Sequence, residues 1–282
     1  MQHSEIRVLK STDAPAVATL FQKIGWDQSV SYISNFIKWG HLGSFGLFID
    51  NQVVATAITI TYANDLAWVG MVTCDPDYQR RGFARRMMET TMHYVEQQGI
   101  RTTMLDASDL GYGLYESMGF QPLYKINIWV GAPVFQEPSQ WIRRMTRNDL
   151  PSVTKIDAQI CGLNRQRVME WAYEDGHAWV YEQDGLITGY LFSRGSGNPS
   201  RIGAWFGYSP TAANALLAAC GNQAIESNRK MRISAPEPNE AAAEIAQRAG
   251  LRLDRHVTRM VYGAPAPGNM EQQYSVASFS TG

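Results

Sequence analysis

The chain has 282 residues, of which 45% are hydrophobic, 18% charged and 11% aromatic. This length suggests two domains with a large apolar core, which excludes a disordered chain and a small disulfide-stabilised protein. The 25 basic and 26 acidic residues leave a net charge of −1, without the basic excess typical of a dedicated nucleic-acid-binding domain. We therefore expect a globular protein.

The first elements along the chain predict a strand, a helix and two further strands. Residues 6–9 alternate between apolar and polar side chains, which is typical of a strand. Pro15 then lies in a first helical turn, apolar residues recur at helical spacing up to Ile24, and Gly25 can end the helix. Residues 45–60 follow as a pair of strands.

Residues 66–98 carry the most informative pattern of the chain. A strand opens this segment, a basic loop over residues 79–84 follows, and a helix closed by Gly99 completes it. Gly82 lets backbone N–H groups turn towards a bound anion, the helix N-terminus adds partial positive charge, and neighbouring arginines add full charges. We predict a pyrophosphate-binding loop; the alternative is a solvated helix start. The chain has no GxxxxGK[ST] motif, and Glu116 stands where the dinucleotide motif needs its third glycine.

The order of elements returns in the second half of the chain. The matching residues, at a constant offset, are Ile6, Arg7, Asp13, Pro15 and Val17 in the first half and Ile142, Arg143, Asp149, Pro151 and Val153 in the second. Further matches follow in the same order along both halves. We infer a diverged duplication with residues 1–130 as one domain, 131–140 as a linker, 141–263 as a second domain and 264–282 as a flexible tail.

Two motifs in the first half resemble the signatures of a known family. The loop Gln79-x-x-Gly82-x-Ala84 fits the pattern [QR]-x-x-G-x-[GA], and residues 114–120, LYESMGF, place a tyrosine four residues before Gly-Phe. The spacing between them fits one helix and one strand. On these motifs the chain resembles the GNAT superfamily of acetyl-CoA-dependent N-acetyltransferases, in a tandem form with a degenerate second domain. The resemblance implies two α/β domains, each with a central mixed sheet flanked by helices.

The resemblance also implies where acetyl-CoA would bind. Its pantetheine amides would pair with a strand, its pyrophosphate would lie on the basic loop, and Ser108 stands where relatives commonly carry a coenzyme-contacting asparagine. The implied coenzyme-binding residues are Met71, Val72, Thr73, Gln79, Arg80, Arg81, Gly82, Phe83, Ala84, Arg85, Ser108 and Tyr115. No metal is expected, because the five histidines lie apart in the sequence.

The implied reaction is direct attack of an amine on the thioester. Tyr115 matches the family's general acid, which protonates the leaving thiolate. The strand lacks the glutamate that often serves as general base, so we take Asp106 as the candidate, with Asp75, Asp77 or a water chain as alternatives. Cys74 offers a covalent acyl intermediate instead, although small buried cysteines are more common.

The acceptor side and the second half are less defined. Trp26 and Trp39 lie in the segment that caps the acceptor side in GNAT enzymes, and we take them as candidate substrate-binding residues, with core packing as the alternative. Residues 210–220, where the basic loop should recur, contain neither glycine nor arginine, and Ala246 stands in the place of Tyr115. We expect this half to be inactive, and to wall the acceptor cleft or mediate assembly.

The expected function is N-acetylation of a primary amine on a small molecule. One alternative is an acyl-CoA-binding sensor without efficient turnover, and another is nucleic-acid association through the arginine cluster. The first ten residues lack the apolar core of a signal peptide, and no apolar run approaches the ~20 residues of a membrane span. We therefore expect a cytoplasmic protein with neither a nucleic acid nor a membrane as partner, and with a homodimer as its candidate assembly.

Overall fold

The computed structural model describes residues 4–62, 66–195, 197–264 and 268–282. These form a single mixed sheet with helices packed against it. The strands are β1 Ser4–Val8, β2 Ser44–Ile49, β3 Gln52–Tyr62, β4 Leu66–Cys74, β5 Thr102–Ala107, β6 Gln121–Gly131, β7 Ile142–Arg144, β8 Gly176–Gln183, β9 Leu186–Arg194, β10 Ser200–Gly207, β11 Met231–Pro236, β12 Arg252–Gly263 and β13 Gln273–Ser275. The helices are α1 Ala14–Lys23, α2 Val30–Gly40, α3 Phe83–Gln97, α4 Asp109–Ser117, α5 Leu150–Cys161, α6 Gln166–Glu174, α7 Pro210–Glu226 and α8 Glu240–Arg248.

Both halves begin with the same local device. Arg7 donates hydrogen bonds of 2.8 and 2.9 Å to the carboxylate of Asp13, and Arg143 donates bonds of 2.7 and 2.8 Å to Asp149. Each carboxylate also accepts a backbone N–H three residues before it, at 2.7 Å. In each half the aspartate, held by its arginine and by the backbone N–H, fixes the same strand-to-helix turn. Residues matched in sequence are therefore also matched in structure. The tandem arrangement is confirmed.

The two repeats, residues 4–131 and residues 142–263, exchange their last strands. The sheet order is β1-β2-β3-β4-β5-β12-β6-β11-β10-β9-β8-β7, with β13 added against β10. The last strand of the second repeat therefore pairs with β5 of the first, and the last strand of the first repeat pairs with β11 of the second. The sheet order reads the same from both edges, which is the arrangement that two copies of one fold adopt when they swap an element.

This exchange affects the predicted domain boundary. Residues 132–139 carry neither helix nor strand and connect β6 to β7, as the sequence predicts for a linker. The strand that precedes them nevertheless has both of its neighbours, β11 and β12, in the second repeat. We keep the division at residues 131–140 as a proposal about the duplication, because in space the two repeats share one sheet.

The repeats also share an aromatic core. The indole of Trp171 on α6 makes edge-to-face contacts with Tyr32, Phe36 and Trp39 on α2, with ring centroids 5.4, 5.6 and 5.7 Å apart. These helices lie with α1 and α5 over one face of the sheet, in the largest cluster of buried apolar side chains. Aromatic pairs of this kind contribute about 0.5–1.5 kcal/mol each beyond the burial of their area.

The tail differs from its prediction as a flexible extension. Residues 265–267 of the predicted tail lie outside the described residues, but β13 pairs with β10, and the residues after it are buried or partly buried. Val276, Ala277 and Thr281 are between 0 and 2% exposed. The segment has no sequence periodicity because it consists of a three-residue strand and a turn, and both are held by residues far away in the chain. Within the described part of the chain, no helix combines the length and apolarity needed to cross a membrane.

Candidate functional site

An opening in the sheet lies between β4 and β5 of the first repeat. These parallel strands are paired only over Leu66–Trp68, and beyond this point their ladder ends. On its other side β4 carries a bulge, because Thr56 pairs with Thr73 whereas Ile58 pairs with Gly70. A bulge of this kind leaves backbone groups of β4 unpaired by the ladder. The site predicted for the pantetheine arm is therefore the point where the sheet opens.

A buried threonine holds the bulge in place. Met71 has a positive φ of 52°, which costs an L-residue conformational free energy. The Thr56 hydroxyl donates a 2.7 Å hydrogen bond to the carbonyl oxygen of Met71. Thr56 is fully buried. The sequence pattern of residues 45–60 indicated a pair of strands and gave no sign of this positioning role.

The basic loop between β4 and α3 forms an open anion site. Gly82 caps α3 with φ 77°, and a Cβ added there would meet no atom within 4 Å, so the space in front of the helix is free. The backbone N–H groups of Phe83, Ala84 and Arg85, in the first turn, have no partner within the helix and point towards that space. A positive φ of 59° at Arg80 turns the chain just before it.

The arginine side chains of this loop lie on the surface. Arg80, Arg81 and Arg85 are exposed, and one N–H of Arg85 donates a 2.8 Å hydrogen bond to the Ser117 hydroxyl on α4. Arg81 donates to the Asp77 carbonyl oxygen at 3.2 Å. Side chains with several donors can keep these contacts and still bind an anion, since a guanidinium carries five N–H groups. Gln79, also exposed, donates from its amide to the Cys74 carbonyl oxygen at 3.4 Å.

Tyr115 lies on α4, the helix that follows β5. Its side chain packs with Val69, Leu105 and Phe120 in one buried cluster. A Cβ at Gly111 would lie 2.8 Å from its ring, so only glycine at this position leaves room for the phenol. Burial raises the pKa of Tyr115, which keeps the hydroxyl protonated at neutral pH and suits a proton donor.

Ser108 begins α4 directly after β5. It is exposed and its side chain does not cap the helix, which leaves the hydroxyl available to a ligand. Val72 and Thr73, on β4, are partly exposed beside the opening. The structure thus brings the predicted coenzyme-binding residues to one edge of the first repeat.

Asp106 does not fit the role of general base. Its carboxylate receives two hydrogen bonds from Arg259 on β12, at 2.9 and 3.0 Å, and its side chain is 0% exposed. Burial raises the pKa of Asp106, while the charge of Arg259 opposes that shift. A carboxylate enclosed by a guanidinium cannot reach an acceptor amine. The ion pair instead joins the exchanged strand β12 to β5, and the sequence had no means of indicating a partner 153 residues away.

The neighbouring alternatives have other partners too. Burial and the nearby charge of Asp75 raise the pKa of the Cys74 thiol to about 11, which disfavours the thiolate needed for acyl transfer. Asp75 is itself buried and binds Lys23 at 2.6 Å. Neither group has the environment of a nucleophile or a free base.

The two tryptophans occupy different surroundings. Trp26 packs on Phe21 with ring centroids 5.0 Å apart, and lines an open cavity of about 490 Å³ between α1 and α2. Trp39 lies in the aromatic core shared with the second repeat. Trp26 therefore keeps a surface that a ligand can reach, while the position of Trp39 agrees with the core-packing alternative.

The equivalent opening in the second repeat is filled by the chain itself. The parallel strands β10 and β11 are paired only over Ser200–Ile202, and beyond that point β13 pairs with β10. The Asn239 amide, at the position corresponding to Ser108, donates a 3.1 Å hydrogen bond to the carbonyl oxygen of Gln273 on β13. A strand of the tail thus fills the opening that corresponds to the one between β4 and β5.

Comparisons with known proteins agree with this geometry. Residues 14–120 match a family model described as Acetyltransferase (GNAT) family, and residues 153–275 match one described as Acetyltransferase (GNAT) domain. A ribosomal protein bS18-alanine N-acetyltransferase from Escherichia coli K12 is 30% identical over 121 residues, which is 41% of this chain and 79% of that protein. The enzyme with the same description from Salmonella typhimurium is 29% identical over the same shares of both chains.

Two solved structures resemble the whole chain. A Pyrococcus horikoshii protein superposes with a TM-score of 0.85 at 21% identity, covering 100% of this chain and 97% of its own. A tandem GNAT protein from the clavulanic acid biosynthesis pathway superposes with a TM-score of 0.68 at 11% identity, covering 94% of this chain and 100% of its own. At these identities the likeness concerns the fold.

Proposed function

This chain belongs to the GNAT family of acetyltransferases, and from that premise we propose that its first repeat moves an acetyl group from acetyl-CoA to a primary amine. The observation that carries the proposal is the combination of an open sheet at Met71–Thr73 with an unfilled helix N-terminus at Gly82. A long ligand with an anionic head and an amide-bearing arm fits these two features together. Acetyl-CoA supplies the activated acetyl group as the cosubstrate.

The residues of the first repeat have separate roles in this proposal. The N–H groups of the first turn of α3 and the arginines around Gly82 would bind the pyrophosphate, because both present positive charge to it. The backbone of β4 at its bulge would pair with the pantetheine amides and hold the oxyanion that forms at the thioester carbonyl. Ser108 would hydrogen-bond to the coenzyme from the start of α4.

Proton transfer in this proposal uses one side chain. The amine attacks the thioester carbon, the carbon–sulfur bond breaks, and Tyr115 gives its proton to the leaving thiolate. The attacking nitrogen loses its proton to water, since Asp106 is held by Arg259 and Asp75 by Lys23. The acceptor in this proposal is a primary amine.

A second candidate function is an acyl-CoA-binding sensor. The ion pair of Asp106 supports it, because the carboxylate taken as the candidate base is not free. Thiol release from acetyl-CoA distinguishes the two functions when the acceptors include small amines and a peptide that begins with alanine. Coenzyme binding with no release above the rate without acceptor would favour the sensor.

The coenzyme site is tested by substituting one glycine at each end of α3. We expect Gly82→Glu to abolish acetyl-CoA binding, because it adds a carboxylate where the pyrophosphate would lie. Gly99→Glu is the matched control: Gly99 has a similar φ of 67°, is exposed, and ends the same helix. Calorimetric titration measures both. Unchanged affinity in Gly82→Glu, or an equal loss in both variants, would refute the proposed site.

A further inference from the structure

The tail lies against the first repeat at the point where the acceptor must approach. A Cβ added to Gly70 on β4 would lie 2.7 Å from the Cα of Ser280, and one added to Gly282 would lie 2.7 Å from the ring of Trp68. Gly70 directly precedes the bulge at Met71. The segment therefore covers the backbone of β4 beside the proposed thioester position.

The tail is on the face of the sheet opposite to Tyr115. The side chains of Trp68 and Met71 belong to the core under α1 and α2, whereas Val69 and Tyr115 belong to the cluster under α3 and α4. The coenzyme loop and the proton donor are both on the α3 and α4 side. An amine that attacks the thioester from across the sheet enters from the side where the tail lies.

Side chains of the first repeat bind the main chain of the tail. The Trp68 indole N–H donates a 3.1 Å hydrogen bond to the Phe279 carbonyl oxygen, and the Tyr62 hydroxyl donates one of 3.1 Å to the Thr281 carbonyl oxygen. Both donors are at most 6% exposed. Such buried donors need an acceptor, so this surface is suited to ligands that present carbonyl oxygens in place of the tail.

The second repeat adds two buried arginines to the same site. Arg165 is paired with Asp157, at 2.7 and 3.0 Å, and uses its remaining N–H to bind the oxygen of Gly282. Arg194 binds the carbonyl oxygen of Ala277. The two guanidiniums are 1 and 5% exposed. All four side chains are therefore donors that face a polypeptide main chain, and none of them depends on the identity of the tail's side chains.

We propose that the acceptor side of the first repeat is a polypeptide-binding site, and that residues 276–282 of the chain are its resident occupant and compete with the acceptor. The proposal rests on the proposed function for the meaning of "acceptor side", but the binding site itself does not. Within the segment the Gly282 N–H donates to the Ser278 carbonyl oxygen at 3.0 Å, so the occupant is a compact turn that leaves as a unit. Strand β13 anchors it to the second repeat.

Two variants release the occupant in different ways. The first ends the chain after Ser275, and the second is Ser280→Glu, which places a longer, charged side chain against β4. Ser152→Glu, the same change at an exposed serine in the first turn of α5, is the matched control. If the closed form is populated at ten to one or more, release should lower the KM for the acceptor by about tenfold or more without lowering kcat.

Binding is measured separately from transfer. The probe is a synthetic peptide of residues 276–282 with an acetylated amino end, titrated into the protein that ends at Ser275 and followed by tryptophan fluorescence. We expect saturable binding that the full-length chain and Ser152→Glu do not show, and comparable binding of a peptide with the same residues in scrambled order, because the four donors contact the main chain. If the protein that ends at Ser275 binds this probe but transfers no acetyl group to any amine, the inference stands and the proposed function is refuted.

Three results would overturn the inference. The first is an unchanged KM in both released variants together with no binding of the peptide. The second is binding of the peptide to the full-length chain with the same affinity as to the protein that ends at Ser275, because the peptide would then bind elsewhere. The third is failure of both variants to fold, as seen in circular dichroism and urea unfolding, because the segment would then be a permanent part of the core.

Discussion

At the scale of single residues, burial decides which side chains can react. Asp106 and Tyr115 are both enclosed, yet Asp106 is ion-paired with Arg259 whereas Tyr115 is packed among apolar groups beside Gly111. Removing one partner of a buried ion pair typically costs about 3–5 kcal/mol, so substitution of Asp106 should affect stability before chemistry. The phenol keeps its proton because its surroundings disfavour the charged form.

The role of Tyr115 is tested with a neighbouring tyrosine as control. We expect Tyr115→Phe to lower kcat by roughly 10²-fold while leaving the affinity for acetyl-CoA unchanged, because only the proton donor is lost. Tyr112→Phe, one turn earlier on α4, changes a partly buried tyrosine that packs against this cluster without being one of its buried members, and should keep wild-type kcat. Steady-state kinetics with calorimetric coenzyme binding measures both, and equal kcat values for the two variants would exclude the donor role.

At the scale of elements, the corresponding openings in the sheet are open in the first repeat and filled in the second. Between β4 and β5 it is open on the coenzyme side and faces a helix that starts at Gly82. Between β10 and β11 it is closed by β13, and the facing helix α7 starts at Pro210 with the Ser209 hydroxyl bound to its first turn. A proline start without neighbouring cations provides fewer donors to an anion than a glycine start with four arginines nearby.

These differences predict the number of coenzyme sites. We expect acetyl-CoA to bind with a stoichiometry of one per chain, since β13 fills the second opening and the tail's backbone already uses the Asn239 amide. Calorimetric titration of the full chain measures the stoichiometry. We expect no acetyl-CoA binding in Gly82→Glu. Two sites in the wild type, or one site in that variant, would show that the second repeat binds the coenzyme.

At the scale of the whole molecule, the exchange of β6 and β12 makes the two repeats interdependent. Each repeat completes the sheet of the other, the Asp106–Arg259 pair crosses between them, and the helices α2 and α6 share aromatic contacts. A repeat without its partner would have an unpaired sheet edge at β5 or β11, which favours association with other chains. We therefore expect the first repeat to need the second for its fold.

Separate expression of the halves tests this dependence. We expect residues 1–131 alone to be unfolded or self-associated, because β6 would lose both of its strand neighbours. Expressed together with residues 132–282, the fragment should regain a folded one-to-one complex. Light scattering and urea unfolding give the readout. A monomeric fragment 1–131 with a cooperative unfolding transition would mean that the exchange is dispensable.

Local patterns of the sequence determined a large part of this fold. The Arg7–Asp13 and Arg143–Asp149 turns, the helices with their glycine ends and the glycine at the start of α3 each depend on residues within a few positions of one another. Propensity and periodicity are local quantities, and they predicted the elements around the basic loop, while matched residues in the two halves indicated the duplication and two short motifs carried the family resemblance.

Only the tertiary structure decided the partners of residues far apart in the chain. Arg259 reaches Asp106 from an exchanged strand, Trp39 packs against Trp171 of the other repeat, and the tail is buried although its sequence has no periodicity. Each of these depends on which strand lies next to which, and two diverged copies can pair their last strands within a repeat or across repeats with the same local sequence. The length of the chain indicated two domains, and the sheet that joins them follows from long-range packing alone.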